Sequence, residues 1–128
     1  MKKDLQIEEV NGVYVAFLPN RDNWSVYIIN NRSETLETVI VNASGEGKLH
    51  GKEKHTATLR FLLNDVPAKS VKPFELLMPE SLKLSHRYWV SYYIGNQIFD
   101  KKFIYTPELQ EDDLQDLPVF DSPGILLT

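Results

Sequence analysis

The chain of 128 residues is long enough for one domain with its own core, and 42% of its residues are hydrophobic. It contains no cysteine, which excludes a disulfide framework and every reaction that needs a thiolate. The formal net charge is −4, but residues 107–128 carry six of the 18 acids and no Lys or Arg, which leaves 12 acids against 14 bases elsewhere. Neither part is basic enough for charge alone to predict nucleic-acid binding.

No part of the sequence reaches the roughly 18 uncharged apolar residues that a membrane-spanning helix requires. Lys2 and Lys3 resemble the start of a signal peptide, but Glu8 and Glu9 fall where such a peptide needs an unbroken apolar stretch. We therefore expect a cytoplasmic protein that does not interact with a membrane.

The pair Asn11-Gly12 is the first strong hairpin signal, because both positions of a type I′ turn need a positive φ and Asn-Gly is the preferred pair for it. The β-branched and aromatic residues on both sides of this pair predict strands. In the first third of the chain these strands are residues 5–10, 13–18, 24–30 and 36–42. A polar turn at residues 31–34 is expected to join the last two in a hairpin.

Residues 43–54 are rich in Gly, Lys and His, which predicts an exposed loop. Two strands are predicted after this loop, in residues 56–63 and 70–77. Pro73 makes the second of them an edge strand or a bulged strand, because proline cannot donate a hydrogen bond to a neighbouring strand. Pro79 is expected to begin one helical turn in the connection that follows.

Seven to eight short strands with frequent turns predict an all-β fold, an antiparallel two-sheet sandwich of the immunoglobulin-like or fibronectin-like kind. The pattern changes at Thr106 and Pro107, which predict the start of a short acidic helix that ends before Pro118. The chain thus divides into a β-sandwich domain of residues 1–106 and an acidic C-terminal helix and tail of residues 107–128, docked on the same domain. The tail's candidate contact residues are Phe120, Ile125 and Leu126.

The pair Gly95-Asn96 predicts a second hairpin, of residues 88–94 and 97–105, and its two-residue turn fixes which residues share a face. One face is expected to lie in the core and holds Tyr88, Val90, Tyr92, Ile94, Phe99 and Phe103, with Lys101 as its single charge. The other face is the candidate interaction site and holds Trp89, Ser91, Tyr93, Ile98, Asp100 and Lys102. Aromatic side chains bordered by polar groups are typical of contact surfaces. The commoner alternative is a solvated sheet face on which Lys102 covers Trp89 by a cation–π interaction.

No group of residues in the sequence matches a catalytic or metal-binding pattern. His50 and His55 lie in one predicted loop, but a zinc site needs two more ligands at a suitable spacing. Ser85 and His86 are adjacent, but a catalytic triad needs a third group and an oxyanion site. We therefore expect no enzymatic activity, no metal and no cofactor.

Several segments resemble known bacterial families. Residues 16–20 (AFLPN) and 23–31 (NWSVYIINN) resemble a strand pair in a β-domain of unknown function that precedes Smr nuclease-like domains in MutS-related proteins. With residues 88–102 (YWVSYYIGNQIFDKK) and 124–126 (GIL), most of the chain resembles a small family of bacterial proteins of unknown function. Some members carry a phenylalanyl-tRNA synthetase α-subunit label, but this chain lacks the catalytic body of such an enzyme. No catalytic residue of either family matches a position here.

Three functions are compatible with these observations. The leading expectation is a non-enzymatic module that binds another protein through the face of Trp89 and Tyr93, through the tail, or through an exposed edge strand that also permits a homodimer. The resemblance alone implies an accessory role in nucleic-acid metabolism. The third alternative is a domain that binds a small ligand at a site of unfamiliar kind.

Overall fold

The structure of the protein is a computed structural model, which describes residues 11–108 and 114–128. These residues form two antiparallel β-sheets that pack face to face, so the predicted all-β, two-sheet architecture is confirmed. They contain ten strands, more than the seven or eight expected. None of the helical segments in this part of the chain has the length and hydrophobicity that a membrane crossing needs.

Ten strands make up the two sheets. In chain order they are β1 (Val13–Asn20), β2 (Asn23–Asn30), β3 (Leu36–Leu49), β4 (Lys52–His55), β5 (Leu59–Val66), β6 (Ser70–Leu77), β7 (Ser85–Ile94), β8 (Gln97–Tyr105), β9 (Gln115–Leu117) and β10 (Ser122–Leu127). The first sheet has the order β6-β2-β1-β10-β9. The second sheet has the order β4-β3-β7-β8, and β5 pairs with the same edge of β3 as β4 does.

The core lies between the sheets, because successive residues of each strand point alternately inward and outward. Its largest buried side chains are Tyr88, Tyr92, Tyr105, Phe17, Phe103, Ile28 and Leu36. The Phe17 ring of the first sheet lies 4.9 Å from the Tyr105 ring and 5.9 Å from the Tyr88 ring of the second, measured between ring centroids. Burial of each such side chain contributes about 1.5–3 kcal/mol, so this layer holds the two sheets together.

The predicted loop at residues 43–54 is wrong, because β3 continues to Leu49 and forms a hairpin with β4. The polar composition misleads here because the fully buried residues of this part of β3 are small, namely Ala43 and Gly45. A Cβ atom at Gly45 would lie 2.9 Å from His86 Nδ1, so the glycine makes room for that buried ring. The segment is a strand whose inward side chains are small, and its polar side chains point outward.

The predicted hairpin between residues 24–30 and 36–42 is also wrong, because β2 pairs with β1 and β6 whereas β3 belongs to the second sheet. The polar turn at residues 31–34 therefore connects the two sheets. The prediction for Pro73 is confirmed, since β6 is an edge strand of the first sheet. Its pairing with β2 also shifts register between Val26 and Tyr27, next to that proline.

The predicted acidic C-terminal helix is not confirmed. Residues 109–113 lie outside the described residues, and Gln115–Leu117 form β9 instead of helix. The short 3-10 helix Pro118–Phe120 follows, and Asp121 with a φ of 52° turns the chain back so that β10 pairs with both β9 and β1. These residues are strand because they complete the first sheet.

The two remaining local predictions have different outcomes. The helical turn begun by Pro79 is confirmed as the 3-10 helix Pro79–Lys83. The hairpin around Asn11-Gly12 has its first strand, residues 5–10, outside the described residues. Within the described residues β1 has β2 on one edge and β10 on the other.

Candidate interaction face

The β7–β8 hairpin has the register predicted from its sequence. Its two-residue turn at Gly95-Asn96 pairs Tyr93 with Ile98 and Trp89 with Lys102. Gly95 has a φ of 62°, the left-handed conformation that the first position of a type II′ turn requires. Of the outward side chains, Trp89 is 47%, Tyr93 41% and Ile98 58% exposed, and Asp100 and Lys102 are exposed as well.

This surface continues across β3 and β5. Residues directly opposite each other in antiparallel strands share a face, so the rows of the pairing define the surface. One row runs through Lys102, Trp89, Asn42 and Arg60, and the next through Asp100, Ser91, Ile40 and Leu62. Leu62 is 67% exposed and Ile104, opposite Arg87, is 51% exposed. We call this surface, with its apolar members Leu62, Trp89, Tyr93, Ile98 and Ile104, the outer face of the second sheet.

Charged groups surround the aromatic residues of the outer face. The Lys102 ammonium lies 5.0 Å from the centroid of the Trp89 ring, a cation–π contact. Charges of both signs lie on the face, among them Arg60, Arg87 and Lys102 and the acids Glu37, Glu46 and Asp100. Because acids lie among these bases, the described part of the face is not a basic patch of the kind that attracts a phosphate backbone.

The outer face of the first sheet differs because the chain itself covers part of it. Leu117 is buried against Ala16, Leu18 and Ile29 of β1 and β2. The Phe120 ring packs on Tyr27 with its centroid 4.7 Å away. The segment from β9 to β10 therefore shields the first sheet, while Trp89 and its neighbours on the second sheet stay in contact with solvent.

The residues predicted as a tail contact belong to the domain itself. Ile125 lies in the core, opposite Phe17 on β1, so its side chain is not available to a partner of the folded protein. Leu126 is half-buried opposite Ala16, and Phe120 is half-buried on Tyr27. Only the hairpin residues of the predicted site remain exposed.

A polar groove of about 430 Å³ adjoins the outer face at the ends of β3 and β7, and sequence reasoning missed it. Its lining includes Ser44, Glu46, His55, Thr56, Arg87 and Thr106. Glu46 lies 3.2 Å from Arg87 and 3.5 Å from His55, so its carboxylate is shared between two possible cations. The groove was not predicted because Ser44, Gly45 and Glu46 of its lining lie in the segment predicted as a loop. The alternation of small residues with polar ones in β3 was the available signal.

The buried titratable groups serve the core. The His86 Nε2–H donates to the Ser81 carbonyl oxygen over 2.7 Å, and burial lowers the pKa of the imidazole. The Tyr88 hydroxyl donates to Glu75 Oε1 over 2.9 Å, and burial of Glu75 raises the pKa of its carboxyl group despite that hydrogen bond. Within residues 11–108 and 114–128 no three His, Cys, Asp or Glu side chains come together as metal ligands do. His50 instead lies 2.6 Å from Glu80 on the surface.

Comparisons with known proteins return no relative: no family model, no curated protein and no solved structure matches this chain. The outer face of the second sheet and the groove beside it are therefore the features from which a function can be inferred.

Proposed function

We propose that the protein is a non-enzymatic interaction domain that binds another protein through the outer face of its second sheet. The observation that carries this proposal is the exposure of Trp89, Tyr93 and Ile98 on one face of a single hairpin. Aromatic side chains dominate the binding energy of protein interfaces when a rim of polar groups excludes water around them.

The strands hold these aromatic residues in place before any partner binds. Trp89 and Tyr93 lie on β7, which is paired with β3 on one edge and β8 on the other. Tyr88, Val90 and Tyr92 alternate with them along β7, and their side chains point to the other side of the sheet and are buried in the core. A fixed backbone reduces the conformational entropy that binding would otherwise cost.

The charges around these residues favour a protein over a nucleic acid as the partner. Bases and acids together give the outer face a mixed rim, which suits the complementary charges of a protein surface. The accessory role in nucleic-acid metabolism, which the resemblance implies, remains the alternative. The absence of cysteine suits a reducing compartment, so we place the encounter in the cytoplasm.

We also propose that the sandwich is related to the immunoglobulin-like and fibronectin-like folds. The pairs β1–β2 and β2–β6 in one sheet and β3–β7 and β7–β8 in the other support this. They reproduce the neighbours A-B-E and C-F-G of immunoglobulin domains. Such domains recur as recognition modules, which agrees with the proposed function.

The test is capture of partners from a bacterial lysate by the purified chain. We expect Trp89→Ala/Tyr93→Ala to lose the proteins that the wild type captures, because the variant removes the two largest exposed rings. The matched control is Leu76→Ala/Met78→Ala, which truncates two exposed apolar residues outside the face and should capture the same proteins as the wild type.

Identical partner lists for the wild type and the Trp89→Ala/Tyr93→Ala variant would contradict the proposal. A gel shift with tRNA and single-stranded DNA serves as the second arm and should give no complex at low salt. A complex that weakens as salt is raised would favour the nucleic-acid alternative.

A further inference from the structure

The free edge of β8 is the starting point of a second proposal. Among the described residues, β8 pairs with β7 and with no other strand. Because a two-residue turn makes Ile94 and Gln97 a hydrogen-bonded pair, the odd-numbered residues of β8 bond to β7. The even-numbered residues 98–104 therefore direct their backbone N–H and C=O groups away from the sheet, as a template for another strand.

The sequence of β8 is complementary to itself when read in the opposite direction. Residues 98–104 read IFDKKFI, which is nearly symmetric about Lys101. An antiparallel second copy centred on Lys101 places Ile98 opposite Ile104, Phe99 opposite Phe103 and Asp100 opposite Lys102. The two residues of every opposed pair then lie on the same face of the joined sheet. The even-numbered residues of the two copies form the hydrogen bonds between them, through the backbone N–H and C=O groups that they direct outward.

The registers centred on the two neighbouring residues are worse. Centring the pairing on Asp100 would place that carboxylate opposite itself, and centring it on Lys102 would do the same with an ammonium. Like charges directly opposite each other destabilise a strand pair. The register centred on Lys101 instead forms two Asp100–Lys102 pairs.

This register has one unfavourable contact, the repulsion between the two Lys101 side chains. Lys101 lies on the inner side of β8, half-buried, with its ammonium 5.1 Å from the centroid of its own Phe103 ring. An inward-pointing charge on an edge strand weakens strand addition and is a known protection against uncontrolled association. Lys101 thus lowers the affinity of the two β8 strands for each other, while the flanking residues determine the register of their pairing.

We propose that two copies of the chain pair antiparallel through β8 about a two-fold axis at Lys101, which joins their second sheets into one continuous sheet. Both outer faces then lie on the same side. The row of Tyr93 and Ile98 continues into Ile104 and Arg87 of the second copy, so the dimer presents two aromatic patches to one partner or to two.

The test measures the mass of the purified full chain in solution, by light scattering after size-exclusion chromatography over a range of concentrations. We expect a dimer for the wild type and loss of the dimer for both Asp100→Lys and Lys102→Asp, since each opposes like charges twice. The double variant Asp100→Lys/Lys102→Asp restores two opposite-charge pairs and should restore the dimer. Glu53→Lys and Lys52→Asp make the same charge changes on β4 and should leave the dimer intact.

Circular dichroism of each variant checks that it is folded. The double variant also shows whether a single charge change prevents dimerisation by disturbing the fold. A wild type that stays monomeric at every concentration overturns the proposal, and so does a double variant that fails to dimerise. Lys101→Thr removes the repulsion between the two Lys101 side chains and should lower the dissociation constant of the dimer. An unchanged or raised dissociation constant contradicts the register. Trp89→Ala/Tyr93→Ala leaves the β8 edge intact and should still dimerise, so this proposal and the proposed function can fail separately.

Discussion

The Tyr92 hydroxyl is a buried polar group that costs the protein stability. Its oxygen has no hydrogen-bond partner among the described residues, and burial raises the pKa of the phenol to about 12. Tyr105, buried in the same core, differs because its hydroxyl donates to the Leu82 carbonyl oxygen over 2.8 Å. A buried hydroxyl without a partner loses its contact with water and gains nothing in exchange.

We therefore expect Tyr92→Phe to raise the free energy of unfolding by about 1 kcal/mol and Tyr105→Phe to lower it by about the same amount. Urea denaturation of both variants measures the difference. Equal losses from the two substitutions would mean that the Tyr92 hydroxyl has a partner after all.

His86 predicts a dependence of stability on pH. Burial lowers its pKa from the ordinary value of 6.5, so the unfolded chain binds a proton at a higher pH than the folded chain does. Its contribution to stability is therefore complete above 6.5 and is lost as the pH falls from there towards the folded pKa. Glu75 acts in the opposite direction, because its raised pKa lets the folded chain bind protons above the ordinary value of 4.5.

Below pH 6.5 the free energy of unfolding should therefore rise with pH, by at most about 1.4 kcal/mol per pH unit for one histidine. Urea titrations of the wild type and of His86→Gln, at several pH values, measure it. The variant should lose this slope, and a slope that persists unchanged would assign it to other groups.

At this scale the sequence predicts the exposed residues of the β7–β8 hairpin and the burial of Tyr92, but not the environment of His86. The two-residue turn is local, so it fixes the partners of Trp89 and Tyr93 without any knowledge of the rest of the chain. The environment of His86 depends on Gly45 and Ser81, which lie far from each other in sequence and meet only in the folded protein.

Among the elements, β10 has the most unexpected role. It pairs with β1 inside the first sheet and places Ile125 and Leu127 in the core, although it lies in a segment that reads as an acidic tail. A buried isoleucine truncated to alanine costs about 2–5 kcal/mol, whereas an exposed residue changes stability by less than about 0.5 kcal/mol.

We expect Ile125→Ala to lower the free energy of unfolding by about 3 kcal/mol, while Val119→Ala, at an exposed position beside β10, leaves it nearly unchanged. Urea denaturation compares them. Similar values for both variants would mean that the C-terminal segment is not an integral part of the sandwich.

The strands themselves are largely predictable, but their pairing is not, apart from that of the β7–β8 hairpin. Alternation and turn residues identify β2, β6, β7 and β8 because those signals are local. The sequences of the turns after β2 and β5 do not distinguish a hairpin from a connection between sheets. The predicted pairing of β3 with β2 is wrong for this reason. β9 has three residues, too few for a periodic pattern, and its pairing depends on β10.

The whole molecule is an asymmetric sandwich. Its first sheet packs against the core on one face and is partly covered on the other by Leu117 and Phe120. Its second sheet is buried on one face and presents Trp89, Tyr93 and Ile98 on the other. A chain that covers one sheet and leaves large apolar residues exposed on the other has a surface suited to a partner.

The interaction through this surface is the central claim, and the dissociation constant of a captured partner tests it most directly. We expect Trp89→Ala/Tyr93→Ala to raise that constant by about tenfold or more, because exposed aromatic anchors of this kind contribute upwards of about 1.4 kcal/mol to binding. Leu76→Ala/Met78→Ala should leave it unchanged. A constant that is the same for both double variants and the wild type would contradict the claim.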